Sequence, residues 1–173
     1  MRKYFCLILI ILITGSICSQ ELNFDVNKLK FYNLTFHTTE KEIVNTFGKP
    51  EINYLLDGCD YYAGRDADGN PYRQLKYKNI SFIGSPKENY ILQSVLFDRN
   101  GKIFIKYDDI ILNGKMTRTE FIKLFKRYLG DYTLENLDTE FKEMIPIYMK
   151  SDDGLYFRFK DDKLVKIEYW SPC

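Results

Sequence analysis

Two stretches of the chain carry apolar residues at helical spacing between marked ends. In "HTTEKEIVNTFGKPE", residues 37–51, Ile43, Val44 and Phe47 fall on one face. Thr39 stands at the N-cap position with Glu42 three residues on, the pattern of a capping box. Gly48 and Pro50 stop the helix after about nine residues. In "KMTRTEFIKLFKRYLG", residues 115–130, Thr117 and Glu120 repeat the box. Phe121, Ile122, Leu124, Phe125 and Leu129 form the apolar stripe, and Gly130 ends it. The two stretches align at an offset of 78, which places Thr39 on Thr117, Glu42 on Glu120, Ile43 on Phe121 and Phe47 on Phe125.

Strand-like runs follow each helix. After the first come "INYLL", "CDYYAG", and "LKYKNISFIG" with its alternating Leu75, Tyr77, Ile80 and Phe82. "YILQSVLFD" is a further strand, "DRNG" reads as a hairpin turn, and "KIFIKYDDIIL" extends it. After the second helix, "IPIYMKSDDGLYFRF" reads as a hairpin about Asp153-Gly154 and "KDDKLVKIEYW" as its last arm. Tyr77 and Leu155 are 78 apart, while Val95 and Ile167 are 72 apart, the difference falling in the longer loop "GSPKEN". A unit of ~70 residues buries little by itself. Two joined edge to edge solve the problem as an α+β layer. The expectation is therefore one domain, residues 19–173, of two tandem helix-then-antiparallel-strand repeats, about 34–98 and 107–173, sharing one sheet with the helices on one face. The leader "SQELNFDVNKLKFYN", residues 19–33, shows no clear period.

Residues 1–18 read as a signal peptide: Arg2 and Lys3 form a basic start, "FCLILIILIT" an apolar stretch, and "TGSICSQ" supplies small residues for cleavage. The apolar stretch is short for a membrane span. The alternative is a lipid anchor on Cys18, which needs a small residue before the cysteine where Ile17 stands. Lys and Arg total 25 against 24 Asp and Glu, a net charge of +1. Removing residues 1–18 takes away two bases and no acid, which leaves 23 against 24, net −1. Such a balance lacks the clustered basic surface of a nucleic-acid binder and the polybasic segment of a membrane-surface binder.

Cys59 and Cys173 remain after the leader, an even number in an exported chain, and a disulfide between them is expected. It would close a loop of more than a hundred residues, worth about 4–5 kcal/mol in the chain-entropy account. The chain holds 14 Tyr and 13 Phe but alanine only at Ala63 and Ala67, so codon bias and core packing account for much of the aromatic excess. Tyrosine enrichment at interfaces is the other reading.

Candidate chemistry is thin. His37 is the only histidine and no nucleophile motif accompanies it. One His and two disulfide-prone Cys cannot make a usual zinc set, so no metal is expected. "DADGN", residues 66–70, begins like a calcium loop but has Pro71 and Tyr77 where the loop needs Gly and Glu, so it reads as a turn. Asp108-Asp109, Asp152-Asp153 and Asp161-Asp162 read as solvated turns and edges, since strand neighbours point to opposite faces. Arg118, Lys123, Lys126 and Arg127 face an acidic linker with Glu135, Asp138, Glu140 and Glu143, which reads as a solvated helix with local ion pairs. No cofactor and no enzymatic activity are expected.

The run Thr39–Pro50, of pattern T-x-x-E-[IV]-x-x-x-[FL]-G-K-P, resembles the start of the small outer-membrane-assembly lipoproteins of the SmpA/OmlA type and of the β-lactamase inhibitory proteins. Thr117 to Leu129 follows it more loosely, without Lys-Pro after Gly130, and the second unit also looks like bacterial toxin-immunity domains. The resemblance implies protein binding without catalysis. The expected function is an exported, non-enzymatic protein-binding module, an immunity or inhibitor protein that blocks a toxin or enzyme in the periplasm. A cell-envelope structural or assembly factor, lipid-anchored at Cys18, is the alternative. The partner is another protein; no nucleic acid and no integral membrane span in the mature chain are expected, and the chain is taken as a monomer. Candidate contact residues are the sheet aromatics Tyr61, Tyr62, Tyr77, Tyr148, Tyr156 and Trp170.

Overall fold

The computed structural model describes residues 23–56, 65–130, 143–149 and 153–171. The segment 1–18, Cys18, Tyr61, Tyr62, and both Cys59 and Cys173 with their expected disulfide lie outside the described residues.

A 3-10 turn at Val26–Lys28 leads into β1 (Leu29–Phe31), β2 (Leu34–Thr35) and β3 (His37–Thr38). Helix α1 spans Glu40–Phe47. Next come β4 (Ile52–Leu55), β5 (Arg73–Lys76), β6 (Ile80–Ser85) and β7 (Asn89–Leu96). They are followed by β8 (Phe104–Tyr107), β9 (Ile110–Asn113) and helix α2 (Arg118–Phe125), with a 3-10 tail at Lys126–Tyr128. The chain finishes with β10 (Met144–Tyr148), β11 (Gly154–Lys160) and β12 (Lys163–Trp170). Two sheets result: a four-stranded one in the order β2-β1-β8-β9, and an eight-stranded one in the order β10-β11-β12-β7-β6-β5-β4 with β3 paired to β7. Every pairing is antiparallel.

This corrects the expected α+β arrangement of two helix-then-strand repeats sharing one sheet with helices on one face. The described residues are mostly antiparallel strand, with two helices of eight residues each. The physical reason is the second sheet. Its strands come from the leader and from the stretch after the "DRNG" turn, which does not close a hairpin. Asp98 turns the chain there, its carbonyl accepting from Gly101 N and its carboxylate from Ile103 N, and the next strand joins β1 instead of β7. Asp108-Asp109 is likewise a turn and not mid-strand: Asp108 has φ 51° and lies between β8 and β9. Asp161 and Asp162, with φ 51° and 59°, make the β11–β12 turn as expected.

The helices lie between the sheets. Phe47 of α1 packs on Phe31 of β1 at 5.7 Å and on Phe82 of β6 at 6.0 Å. Phe125 of α2 packs on Tyr107 of β8 at 5.5 Å and on Phe157 of β11 at 6.2 Å. Buried residues of both sheets and both helices join in one core. Leu124, assigned to the stripe by spacing, faces solvent. At the centre of the large sheet Val95 lies opposite Ile167. The register skips Gln93 on one side of that pair and Val165 on the other, and each bulge adds local twist. Gly84 is required by close approach: a Cβ there would stand 2.1 Å from the Asn89 carbonyl oxygen.

Both capping boxes are present. Thr39 Oγ1 accepts from Glu42 N at 3.2 Å while the Glu42 carboxylate accepts from Thr39 N at 2.9 Å. Thr117 and Glu120 do the same at 3.1 Å and 2.8 Å. The backbone N–H of each threonine, then its hydroxyl, holds the paired carboxyl below its ordinary value of 4.5, and Thr38 adds a third donor to Glu42. A depressed folded value means that the stabilisation is full above the ordinary value and is lost as pH falls through the lowered one. Thr39→Ala and Thr117→Ala should each cost about 1 kcal/mol in urea denaturation. Thr117→Ala should be the worse, because its helix anchors two fully buried phenylalanines, Phe121 and Phe125. Glu42→Gln and Glu120→Gln should flatten the loss of stability below pH 4.5.

Candidate functional site

Residues paired across antiparallel strands share a face, so the register maps the two sides of the large sheet. Leu75, Phe82, Leu92, Val95, Leu155, Phe157 and Ile167 face the core. The opposite face carries the row Pro146, Tyr156, Glu168, Ser94, Ser81, Lys76 and Ile52. Beside it run Met144, Arg158, Lys166 and Leu96 on one flank, and Tyr148, Gly154 and Trp170 on the other. Ile83, on this face and outside the core cluster, is nevertheless buried.

The face divides by chemistry. Over β5, β6 and β7 polar groups bond to each other, with Ser81 and Ser94 hydroxyls 2.8 Å apart and Gln74 Nε2 donating to Gln93 Oε1 at 2.5 Å, beside Lys76, Ile83 and Leu96. Over β10, β11 and β12 it is aromatic and charged. Tyr156 and Trp170 have ring centroids 5.7 Å apart, both half-buried, and Tyr148 is 46 % exposed. Gly154, in register between Tyr148 and Trp170, places no side chain in that row. Arg158 Nε donates to Glu168 Oε2 at 3.2 Å, and Lys166 Nζ to Glu168 Oε1 at 2.6 Å. Burial pushes the Glu168 carboxyl up, but the two cations outweigh it and hold the group below the ordinary carboxylate value. Burial raises the Tyr156 phenol, Tyr148 adds to this, and Arg158 opposes it. These three side chains are therefore electrostatic neighbours.

The adjacent sheet edge is blunted. Met149 N donates to Asp153 O and Phe159 N to Glu143 O, so the hydrogen-bonded pairs of β10 and β11 alternate with Pro146–Tyr156. The position of Pro146 is one whose N–H would point to the free edge, and proline has none. Strand addition along β10 is thereby disfavoured, which leaves the face as the surface on offer.

Of the expected contact residues, Tyr148, Tyr156 and Trp170 come together here. Tyr77 does not: it is 7 % exposed, packs on Phe47 at 5.3 Å, and its hydroxyl donates to the Gly48 carbonyl at 3.0 Å. It is a core residue tying α1 to the sheet, and the expectation of a contact residue is corrected. Arg158, Lys166 and Glu168 were missed by sequence reasoning, although Arg158 shares its parity with Tyr156, and Lys166 and Glu168 share theirs with Trp170.

His37 lies elsewhere, edge-on to Phe36 at 5.2 Å, in a groove of about 530 Å³ lined also by Phe24, Asp25, Tyr169 and Asp153. Among the described residues its lining includes no Ser, Thr or Cys. The "DADGN" segment is a turn closed on itself. The Asp66 carboxylate accepts from Asp68 N, Asn70 N and Asn70 Nδ2 at 3.0, 2.8 and 3.2 Å. Burial pushes that carboxyl up, but these bonds and one from Ser85 prevail and hold it low. No cluster of three His, Cys, Asp or Glu able to hold a metal occurs among the described residues. Among them, too, no helix is long and apolar enough to cross a membrane.

No family model matches the chain, and no solved structure matches it. It is similar to an ornithine carbamoyltransferase of Oceanobacillus iheyensis, 27 % identical over 129 residues, which covers 70 % of this chain and 37 % of that protein. The chain thus spans little more than a third of that relative's length, and the similarity does not establish an enzymatic activity here.

Proposed function

We propose that the chain is an exported, non-enzymatic protein-binding module, an immunity or inhibitor protein that blocks a toxin or enzyme in the periplasm, and that it binds through the β10–β12 end of the large sheet's outer face. One observation carries the reading: Tyr148, Tyr156 and Trp170 converge on that face beside Arg158, whereas over β5, β6 and β7 the polar pairs Ser81–Ser94 and Gln74–Gln93 bond to each other. Tyr, Trp and Arg are the residues that dominate protein–protein hot spots. Aromatic rings with polar tips offer large contact area at little entropy cost.

The test compares two exposed positions. Tyr148→Ala and Ile111→Ala, the latter 49 % exposed on β9 of the small sheet, should both melt within about 0.5 kcal/mol of wild type. In capture from envelope extract followed by mass spectrometry, wild type and Ile111→Ala should retain one stoichiometric protein partner, and Tyr148→Ala should lose it. Retention by Tyr148→Ala with loss by Ile111→Ala would move the interface to the small sheet.

A further inference from the structure

Arg158 is positioned but only part used. Its Nε is bonded to Glu168, and its side chain is 47 % exposed. Among the described residues its two terminal nitrogens make no hydrogen bond or ion pair. The bond through Nε restrains the guanidinium and leaves the fork of terminal N–H donors on this half-exposed side chain available, the group that grips a carboxylate with two parallel hydrogen bonds. Lys166 gives one of its three donors to Glu168. The charges on the face point the same way. Arg158 and Lys166 pair in one row of the face and Lys76 lies farther along the same face, against the one acid Glu168 among the described strand residues of these rows, whereas the whole chain carries a net charge of +1 over 49 charged side chains.

Resting on the reading above, we propose that Arg158 and Lys166 form a receptor for an acidic side chain of the protein partner, seated beside an apolar group that packs on Tyr156 and Trp170. Glu168 serves as the positioning residue: it preorganises both cations and leaves the cluster one positive charge in excess. The aromatic pair excludes water from the contact, which strengthens the charge-assisted bonds made there. Arginine suits the role because its guanidinium is weakly hydrated and loses little on desolvation. The partner surface is thus one that presents Asp or Glu next to an aliphatic or aromatic side chain.

Blocked peptides serve as probes, so that no terminal carboxylate contributes: acetyl-Glu-Glu-Leu-Glu-Glu-amide and its Gln and Lys counterparts, titrated into the 15N-labelled chain. The acidic peptide should shift the Trp170 indole N–H and the Arg158 Nε–H signals. Arg158→Gln should weaken its binding by about tenfold, and Arg158→Lys, which keeps charge but not the fork, by less. The Gln and Lys peptides should leave these signals in place. If they shift them as strongly as the acidic peptide, the acidic-partner inference fails while the face itself stands as a binding surface. If the acidic peptide shifts no signal on this face at millimolar concentration, the inference fails as well. The fate of the face is then read from the Tyr148→Ala and Ile111→Ala capture, which does not depend on the peptides.

Discussion

Phe125→Ala should destabilise the chain by about 3–5 kcal/mol in equilibrium urea denaturation, the range for removing a fully buried aromatic ring. The side chain is wholly buried, and five rings surround it: Phe121 at 4.6 Å, Tyr107 at 5.5 Å, Tyr128 at 6.1 Å, and Phe24 and Phe157 at 6.2 Å. These come from the leader, the small sheet, the helix and the large sheet. The cavity left by alanine would open between elements that each rest on the others, and a ring stack cannot collapse into it without moving a strand. Phe47→Ala, at the matching place in α1, should cost less, because Phe47 is only partly buried against its neighbours. A loss below about 1 kcal/mol for Phe125→Ala would mean that the sheets do not pack through the helix, and that the second sheet is not part of the same cooperative core.

The helices were legible because their signals are local and redundant. A capping box marks both starts, and in α1 the Gly48 stop marks the end as well, whereas α2 ends at Phe125 and continues only as a 3-10 turn to Tyr128, short of the expected stop at Gly130. Part of the buried side of the large sheet was legible for a related reason: Leu75 and Tyr77, then Ile80 and Phe82, keep the period of two on either side of a turn, whereas the bulges at Gln93 and Val165 break it beside Val95 and Ile167. The second sheet was not legible. Its strands are two to four residues long, less than the span needed for alternation to show. "DRNG" has the chemistry of a turn, and a turn it is, but turn chemistry does not say which strand the chain will meet next. That choice was made by β1, whose Leu29, Lys30 and Phe31 pair with Tyr107, Lys106 and Ile105 across a long sequence separation.

The candidate face was legible in part. Residue type pointed to Tyr148, Tyr156 and Trp170, and strand parity brings them to one side. The same parity argues against Tyr77, which alternates with Leu75 on the buried side and ends in the core. What no pattern could supply is the β12–β7 pairing, which sets Glu168 against Ser94 and marks where the aromatic end gives way to the polar pairs. It joins strands some seventy residues apart in the chain.

Trp170→Ala should separate fold from function where Phe125→Ala cannot. Trp170 lies on the outer face, half-buried, with its ring 5.7 Å from that of Tyr156. Removing a half-buried aromatic together with its ring pair should cost about 1–2 kcal/mol of stability, well short of the cost in the core. At the centre of a partner contact the same substitution should cost at least about 2 kcal/mol of binding, some thirtyfold in Kd. The expected variant is therefore folded, with the near-ultraviolet signal of Trp170 gone and the far-ultraviolet spectrum of the sheets intact, and it fails to hold the partner that wild type captures. Loss of 3–5 kcal/mol instead would make Trp170 a core cap, with the face resting on Tyr148, Tyr156 and Arg158. Full binding by a well-folded Trp170→Ala would remove the aromatic end of the sheet as the contact surface and turn attention to the groove about His37, lined by Tyr169, the neighbour of Trp170 in β12 that points to the opposite face.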